Sequence, residues 1–349
     1  MIQSVSIANH TIGPNKQVFI IGEIGSNHNR DYNEAIRLID IAKASGCDAV
    51  KFQTYKADTL YSIYTPRLSE MEGRTKPAET PYEVIKRIEM PWEWHGKLAD
   101  YCKQQDILFL SSPFDEEAVN VLESVNVAAY KVASYELVHL PLLRYIAQTG
   151  KPMILSTGNT GLGDIETALE TIYKENNNQV ILLHCVSQYP AQYSDINLRA
   201  IETLKLAFNV PIGFSDHTED AISAIGAVAL GACVLEKHIT LDKSQPGPDH
   251  PFSLEPAELK EFVHAIRSVE QALGSSIKKV TVSESENHKL ARRSIHAAID
   301  LKAGDILTEE KICIKRPALG IKPQFLPMVV GKPVRKNIKQ DQWISWDMI

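Results

Sequence analysis

Cysteine is scarce in this chain of 349 residues: five, odd in number, widely scattered and without a C-x-x-C pair. That spacing excludes a disulfide framework and a zinc knuckle, and predicts reduced, mostly buried thiols. No apolar run approaches the roughly 18 residues that a membrane span requires. The opening residues 1–6 lack the basic start and apolar core of a signal peptide. Lys and Arg number 37 against 43 Asp and Glu, a net charge of −6. The basic excess expected of a nucleic-acid-binding protein is therefore missing. These absences predict a cytoplasmic protein with neither nucleic acid nor membrane as partner, long enough for one large domain and one small one.

What is present is a repeating unit. Short runs rich in Val, Ile, Leu and Phe recur at 18–24, 49–54, 107–111, 128–133, 153–156, 180–186, 211–215 and 233–238. Between and after them, residues 33–44, 93–104, 115–124, 140–149, 164–174, 198–208, 220–230 and 258–273 carry apolar side chains at three- and four-residue spacing. Continuously apolar strands alternating with amphipathic helices imply a parallel sheet covered on both faces. Eight such units, with no G-x-G-x-x-G after the first strand, predict a (β/α)8 TIM barrel over residues 1–273. Residues 55–87, rich in proline and charge, read as a loop over the barrel mouth. Residues 274–289 read as a linker, and 290–349 as a small β-rich domain with strands near 295–299 and 312–315.

The carboxyl ends of barrel strands form the active-site face, and here they are unusually polar. The series runs Glu23, Asn27 and His28; Lys51 and Gln53; Ser111 and Ser112; Lys131 and Ser134; Ser156 and Thr157. It continues with His184, Ser187 and Tyr189; Ser215, Asp216 and His217; Glu236 and His238. Burying one such charge without a partner costs several kcal/mol, so polar residues at eight successive strand ends point to a site. Lys51 and Lys131, with the hydroxyls of Ser112, Ser134, Ser156, Ser187 and Ser215, suit a phosphate. His217 and His238, on neighbouring strands, suit a divalent cation, although either alone would pass for a hydrogen-bonded core histidine. Glu23 is the candidate for proton transfer or water alignment, or else a structural partner of Lys51 or Lys131.

In this order the motifs carry a resemblance. Gly22-Glu23-Ile24-Gly25, Val50-Lys51-Phe52-Gln53-Thr54, Ser112-Pro113-Phe114 and Tyr130-Lys131-Val132-Ala133-Ser134 resemble the sialic acid synthase family. So do Ser156-Thr157-Gly158, Tyr189-Pro190, Gly213-Phe214-Ser215-Asp216-His217, Leu235-Glu236-Lys237-His238 and Pro246-Gly247-Pro248-Asp249-His250. The tail, from Arg292-Arg293-Ser294 through Arg316-Pro317 to Gly320-Ile321, resembles the antifreeze-like (SAF) domain fused to these barrels.

The resemblance implies condensation of phosphoenolpyruvate with an N-acetylated amino-sugar aldehyde, typically N-acetylmannosamine, with C–O cleavage and release of phosphate. It implies that Glu23, Lys51 and Lys131 are catalytic. Ser112, Ser134, Ser156, Ser187 and Ser215, with Lys131, would hold phosphoenolpyruvate, and His217 and His238 would bind Mn²⁺ or Mg²⁺. Lys51, Gln53, Tyr189, Glu236 and Asp249 would line the sugar site, and Arg316 would reach in from the second domain of a partner chain in a domain-swapped homodimer. Ser112 and Ser187 stand where threonine, or asparagine and threonine, are frequent; both keep a short polar group. The motif Pro246–His250 resembles enzymes for N-acetylneuraminate or diacetyllegionaminate. Trp92-Glu93-Trp94-His95 and Ile344-Ser345-Trp346-Asp347 are similar to pseudaminate and spore-coat polysaccharide relatives. Two rivals are a class I aldolase with Lys131 as Schiff-base nucleophile, and a carbohydrate- or ice-binding protein whose barrel is only a scaffold.

Overall fold

The computed structural model describes residues 2–66 and 79–349, in two compact units, 1–274 and 275–349. A hairpin of β1 (Val5–Ile7) and β2 (His10–Ile12) precedes eight parallel strands. These are β3 (Phe19–Gly25), β4 (Ala49–Thr54), β5 (Leu108–Pro113), β6 (Tyr130–Val132), β7 (Met153–Ser156), β8 (Val180–Cys185), β9 (Ile212–Asp216) and β10 (Val234–His238). Their order, β5-β4-β3-β10-β9-β8-β7-β6, brings β5 beside β6 and nearly closes the barrel.

Side chains alternate across each strand, and the alternation divides the core in two. One set, including Ile20, Val50, Phe109, Tyr130, Leu182, Phe214 and Leu235, packs outward under the helices. The other set, Phe19, Ile21, Ala49, Leu110, Ile154, Ile181 and Val234, fills the amino end of the interior, with the hairpin residues Val5, Ile7 and Ile12 packed against it. Gly213 is inward-facing, and a Cβ there would come within 2.5 Å of Leu183 Cδ2 and of the Val234 carbonyl oxygen. Barrel geometry therefore selects glycine.

Helix boundaries follow capping chemistry. Asp31 caps the helix Tyr32–Ser45, which ends at Gly46 with φ 91°, and Asp115 caps Glu116–Ser124. Where the sequence predicts a loop over 55–87, the described residues include the helices Ala57–Leu60 and Pro81–Ile88. Thr80 and Glu83 form a reciprocal capping box around Pro81, a signal present in the sequence. The part of that loop at 67–78 lies outside the described residues.

The second unit has a two-stranded antiparallel sheet, β11 (Ser294–Ala297) with β12 (Ile312–Lys315), over a core that includes Ile295, Leu307, Val329, Ile338 and Ile344. A short exposed helix, Ser285–Leu290, lies in the stretch read as linker. Among the described residues, no helix is long and apolar enough to cross a membrane.

Candidate active site

The same alternation that fills the amino end with Ile and Leu turns polar toward the carboxyl end. Glu23, Lys51, Gln53, Ser112, Lys131, Ser156, Ser215, Glu236 and His238 occupy the inward positions of seven strands. Register sets Lys51 beside Glu23, Gln53 beside Ser112, and Glu236 beside Ser215. Lys51 Nζ lies 3.2 Å from Glu23 Oε2, 3.5 Å from Glu236 Oε1 and 3.3 Å from Ser112 Oγ. Lys131 Nζ lies 3.5 Å from the same Glu236 oxygen, which also accepts from Ser215 Oγ at 3.0 Å. Gln53 donates to Glu23 Oε1 at 2.8 Å. Two cations thus face two carboxylates in a buried cluster.

Burial is the dominant force on these charges. It pushes the Glu23 carboxyl from 4.5 up to about 7; Lys51 opposes the rise and Glu236 adds to it. Burial also pulls the Lys131 ammonium below its usual range, against the pull of Glu236. Lys51 is held above its usual range because Glu23 and Glu236 together outweigh its desolvation. For Glu236, burial is likewise outweighed, by Lys131 and Lys51, and the carboxyl stays low.

Beside the cluster is a ring of hydroxyls. Ser134 Oγ accepts from the Gly158 N–H at 3.1 Å, while Ser156 Oγ and Ser187 Oγ are buried with no hydrogen-bond partner. A Cβ on Gly158 would lie 2.3 Å from Ser187 Oγ and 2.8 Å from Ser134 Oγ. Gly158 keeps that space open. Glu236 Oε2 is also buried without a hydrogen bond. A folded chain rarely leaves several such atoms in one place, and a polar ligand would satisfy them.

His217 and His238 meet with ring centroids 5.5 Å apart. The contact of His217 Nδ1 with the Val186 carbonyl, at 2.8 Å, sets the tautomer that leaves Nε2 as electron-pair donor. Asp249 Oδ2 is 4.0 Å from His238 Nδ1 and accepts from Ser26 Oγ at 3.2 Å. Among the described residues no cluster of three or more His, Cys, Asp or Glu forms a metal cage. Two neighbouring imidazoles are a donor set of the kind a divalent ion accepts, and His217 and His238 are the residues that would hold one. Tyr189 stacks obliquely on His217, 4.3 Å between centroids.

Above the floor opens a cavity of about 410 Å³, with Gln53, Glu136, Tyr189, His238 and Asp249 on its polar side. Apolar side chains line it as well: Leu60, Val84, Ile85, Ile88 and Phe114.

The barrel residues expected to catalyse or to bind substrate and metal converge here, with five corrections among the wider series of strand-end residues. Ser111, His184 and Asp216 face outward, because each is one position out of phase with an inward neighbour. Ser111 bonds Thr54, His184 Nε2 contacts the Ile196 carbonyl, and Asp216 pairs with Lys237. Asn27 likewise serves structure, donating to Ile239 O and Ser253 Oγ. His28 meets Trp94 edge to face and lies tilted beside Phe52, and burial lowers its pKa to about 4. Arg316 is exposed, directly after β12 in the second unit. Glu136 was not foreseen. It is buried, burial raises its carboxyl to about 7, and Oε2 has no hydrogen bond. Its place five residues after Lys131, just past a strand end, was the available signal.

The model of the NeuB family matches residues 38–278, and that of the SAF domain matches 292–349. The chain belongs to the NeuB family. It is 42% identical to the N,N'-diacetyllegionaminic acid synthase of Campylobacter jejuni, over 94% of this chain and 99% of that one. Identity to the Legionella pneumophila enzyme of the same name is 39%, over 97% and 96%. Among solved structures, the spore coat polysaccharide biosynthesis protein SpsE of Bacillus subtilis is similar, with a TM-score of 0.68, 39% identity and 99% of both chains covered.

Proposed function

We propose that this NeuB-family chain condenses phosphoenolpyruvate with an acetamido-sugar aldehyde and water, forming a nine-carbon 3-deoxy keto acid and phosphate. The observation that carries the reading is the buried floor. Lys51 and Lys131 stand among serine hydroxyls, with Ser156 Oγ, Ser187 Oγ and Glu236 Oε2 left without hydrogen bonds. The acceptor we favour is 2,4-diacetamido-2,4,6-trideoxymannose, as for an N,N'-diacetyllegionaminate synthase. Two observations support it over the N-acetylmannosamine first expected: the most similar of the relatives described above, and the apolar wall of Val84, Ile85 and Ile88, which suits a methyl group better than a hydroxymethyl.

Lys131 and the serines hold the phosphate, and Gln53, Tyr189, Glu136, Glu236 and Asp249 line the sugar. When bound to His217 and His238, Mn²⁺ or Mg²⁺ would supply Lewis-acid polarisation of the aldehyde oxygen. The methylene carbon of phosphoenolpyruvate attacks the aldehyde carbon, and positive charge develops at the carbon bearing phosphate. Glu23, gripped by Gln53 on one oxygen and Lys51 on the other, acts in its ionised form, stabilising that charge and aligning the water that adds there. The tetrahedral intermediate then loses phosphate by C–O cleavage.

Arg316 completes the site from a partner chain in this reading. Exposed apolar side chains at the mouth after four successive strands, Tyr135, Leu162, Tyr193 and Ile222, support a partner there.

The test is phosphate release with phosphoenolpyruvate, Mn²⁺ and a panel of sugars. N-acetylmannosamine, its 6-phosphate, 2,4-diacetamido-2,4,6-trideoxymannose and the corresponding altrose each serve as acceptor. The trideoxymannose should give the highest kcat/KM. No release with any sugar, or borohydride trapping of pyruvate on Lys131, would overturn the reaction.

A further inference from the structure

His217 and His238 face into the barrel, and directly behind them, on its outer surface, lies a second buried constellation. On β10 the side chains alternate: Glu236 and His238 point inward, and Lys237 between them points outward, in register with Asp216. Lys237 and Asp216 are each 1% exposed. The Lys237 ammonium donates to Asp216 Oδ2 at 2.9 Å, to the Asp220 carbonyl at 3.0 Å and to the Thr218 carbonyl. Those three acceptors match its three N–H donors. The other Asp216 oxygen accepts from the Thr218 N–H at 2.9 Å and from Thr218 Oγ1 at 2.8 Å. Residues 216–220 are thus wrapped around one ammonium group, and His217 is carried inside that wrap. From the opposite side, the Val186 carbonyl fixes the His217 ring, and the His217 carbonyl accepts from the Ala191 N–H at 3.0 Å.

A buried ion pair adds little net stability over apolar residues of the same volume, and Phe262 already packs nearby, 6.0 Å from the ammonium. What the pair does supply is a unique path for the loop. Because Lys237 adjoins His238 and Asp216 adjoins His217, one ion pair couples the two histidine backbones across the β9–β10 ladder.

We infer that Lys237 and Asp216 are positioning residues that set the spacing of His217 and His238 from outside the barrel, and thereby the affinity for the divalent cation. This rests on the metal reading given above. Neither residue touches the mouth. Groups that orient metal ligands typically change affinity by about 10- to 100-fold when removed.

The experiment is Mn²⁺ titration, followed by electron paramagnetic resonance of the free ion and by calorimetry, on the full chain and on Lys237→Met, Asp216→Asn and Thr218→Val. Thermal melting in the presence of a chelator is measured in parallel. The wild-type chain should bind one Mn²⁺ per site. Lys237→Met and Asp216→Asn should each weaken binding about 10-fold or more. The double variant should bind no worse than Lys237→Met alone, because the two act as one unit. Thr218→Val, which removes a single bond to Asp216, should fall between and covers the case in which Lys237→Met does not fold. Variants that melt earlier yet bind Mn²⁺ within twofold of wild type would overturn the inference and leave the pair a merely structural one. A wild-type chain that binds no divalent ion would overturn the metal reading, and this inference with it.

Discussion

Glu23 is where the physical chemistry is most exposed. Its carboxyl sits near 7 because burial outweighs Lys51, and a bound phosphoenolpyruvate, anionic at both carboxylate and phosphate, would push it higher still. Binding should therefore take up a proton above pH 7, and phosphoenolpyruvate affinity should weaken as pH rises through about 7. Calorimetry in buffers of different ionisation enthalpy reads that uptake. Glu23→Gln should abolish the inflection, keep phosphoenolpyruvate binding nearly normal and lower turnover by about 10²- to 10⁴-fold. Unchanged turnover would remove Glu23 from the mechanism. The same shift has a stability consequence of definite sign. With a folded value near 7 against 4.5 unfolded, protonated Glu23 contributes stability that is full below about 4.5 and lost as pH rises through about 7.

Among elements, the strands and the small turns after them do the placing. Polar residues gathered at the strand ends were legible in the sequence, and the alternation seen in the structure puts Lys51, Lys131, Glu236 and His238 among them on one face. Ser111, His184 and Asp216 were grouped with them wrongly, because a strand end lists both faces and only the register separates them. The wall helix Pro81–Ile88 escaped notice although its Thr80-Pro81-Tyr82-Glu83 start was in plain sight, since proline and charge nearby suggested a loop. Glu136 escaped because it lies on a short 3-10 turn, Ser134–Val138, where no periodicity applies. At this scale Gly158 gives the sharpest check. Gly158→Ala would drive a methyl group into Ser134 and Ser187, so KM for phosphoenolpyruvate should rise at least tenfold while the melting temperature stays within a few degrees. An unaffected KM would mean that the serine ring does not hold the phosphate.

At the scale of the whole molecule, eight βα units and a separate β-rich tail were legible because each repeat writes its own apolar period. Distances between units are not written in that way. Arg316, exposed at the end of β12, is thus the residue whose role depends most on assembly. Mixing Arg316→Ala chains with Glu23→Gln chains should restore up to about a quarter of wild-type activity if subunits exchange at random and each site borrows its arginine. No recovery would place Arg316 outside the neighbouring site.

In the proposed reaction, water attacks carbon over the buried floor of lysines, serines and Glu23, and phosphate leaves with the bridging oxygen. Phosphoenolpyruvate labelled with ¹⁸O at that bridge, turned over with the diacetamido trideoxy sugar, tests this most directly by mass spectrometry of both products. The expected result is label in the phosphate and none in the keto acid. Label retained in the keto acid would mean P–O cleavage, and would contradict the chemistry assigned to this site.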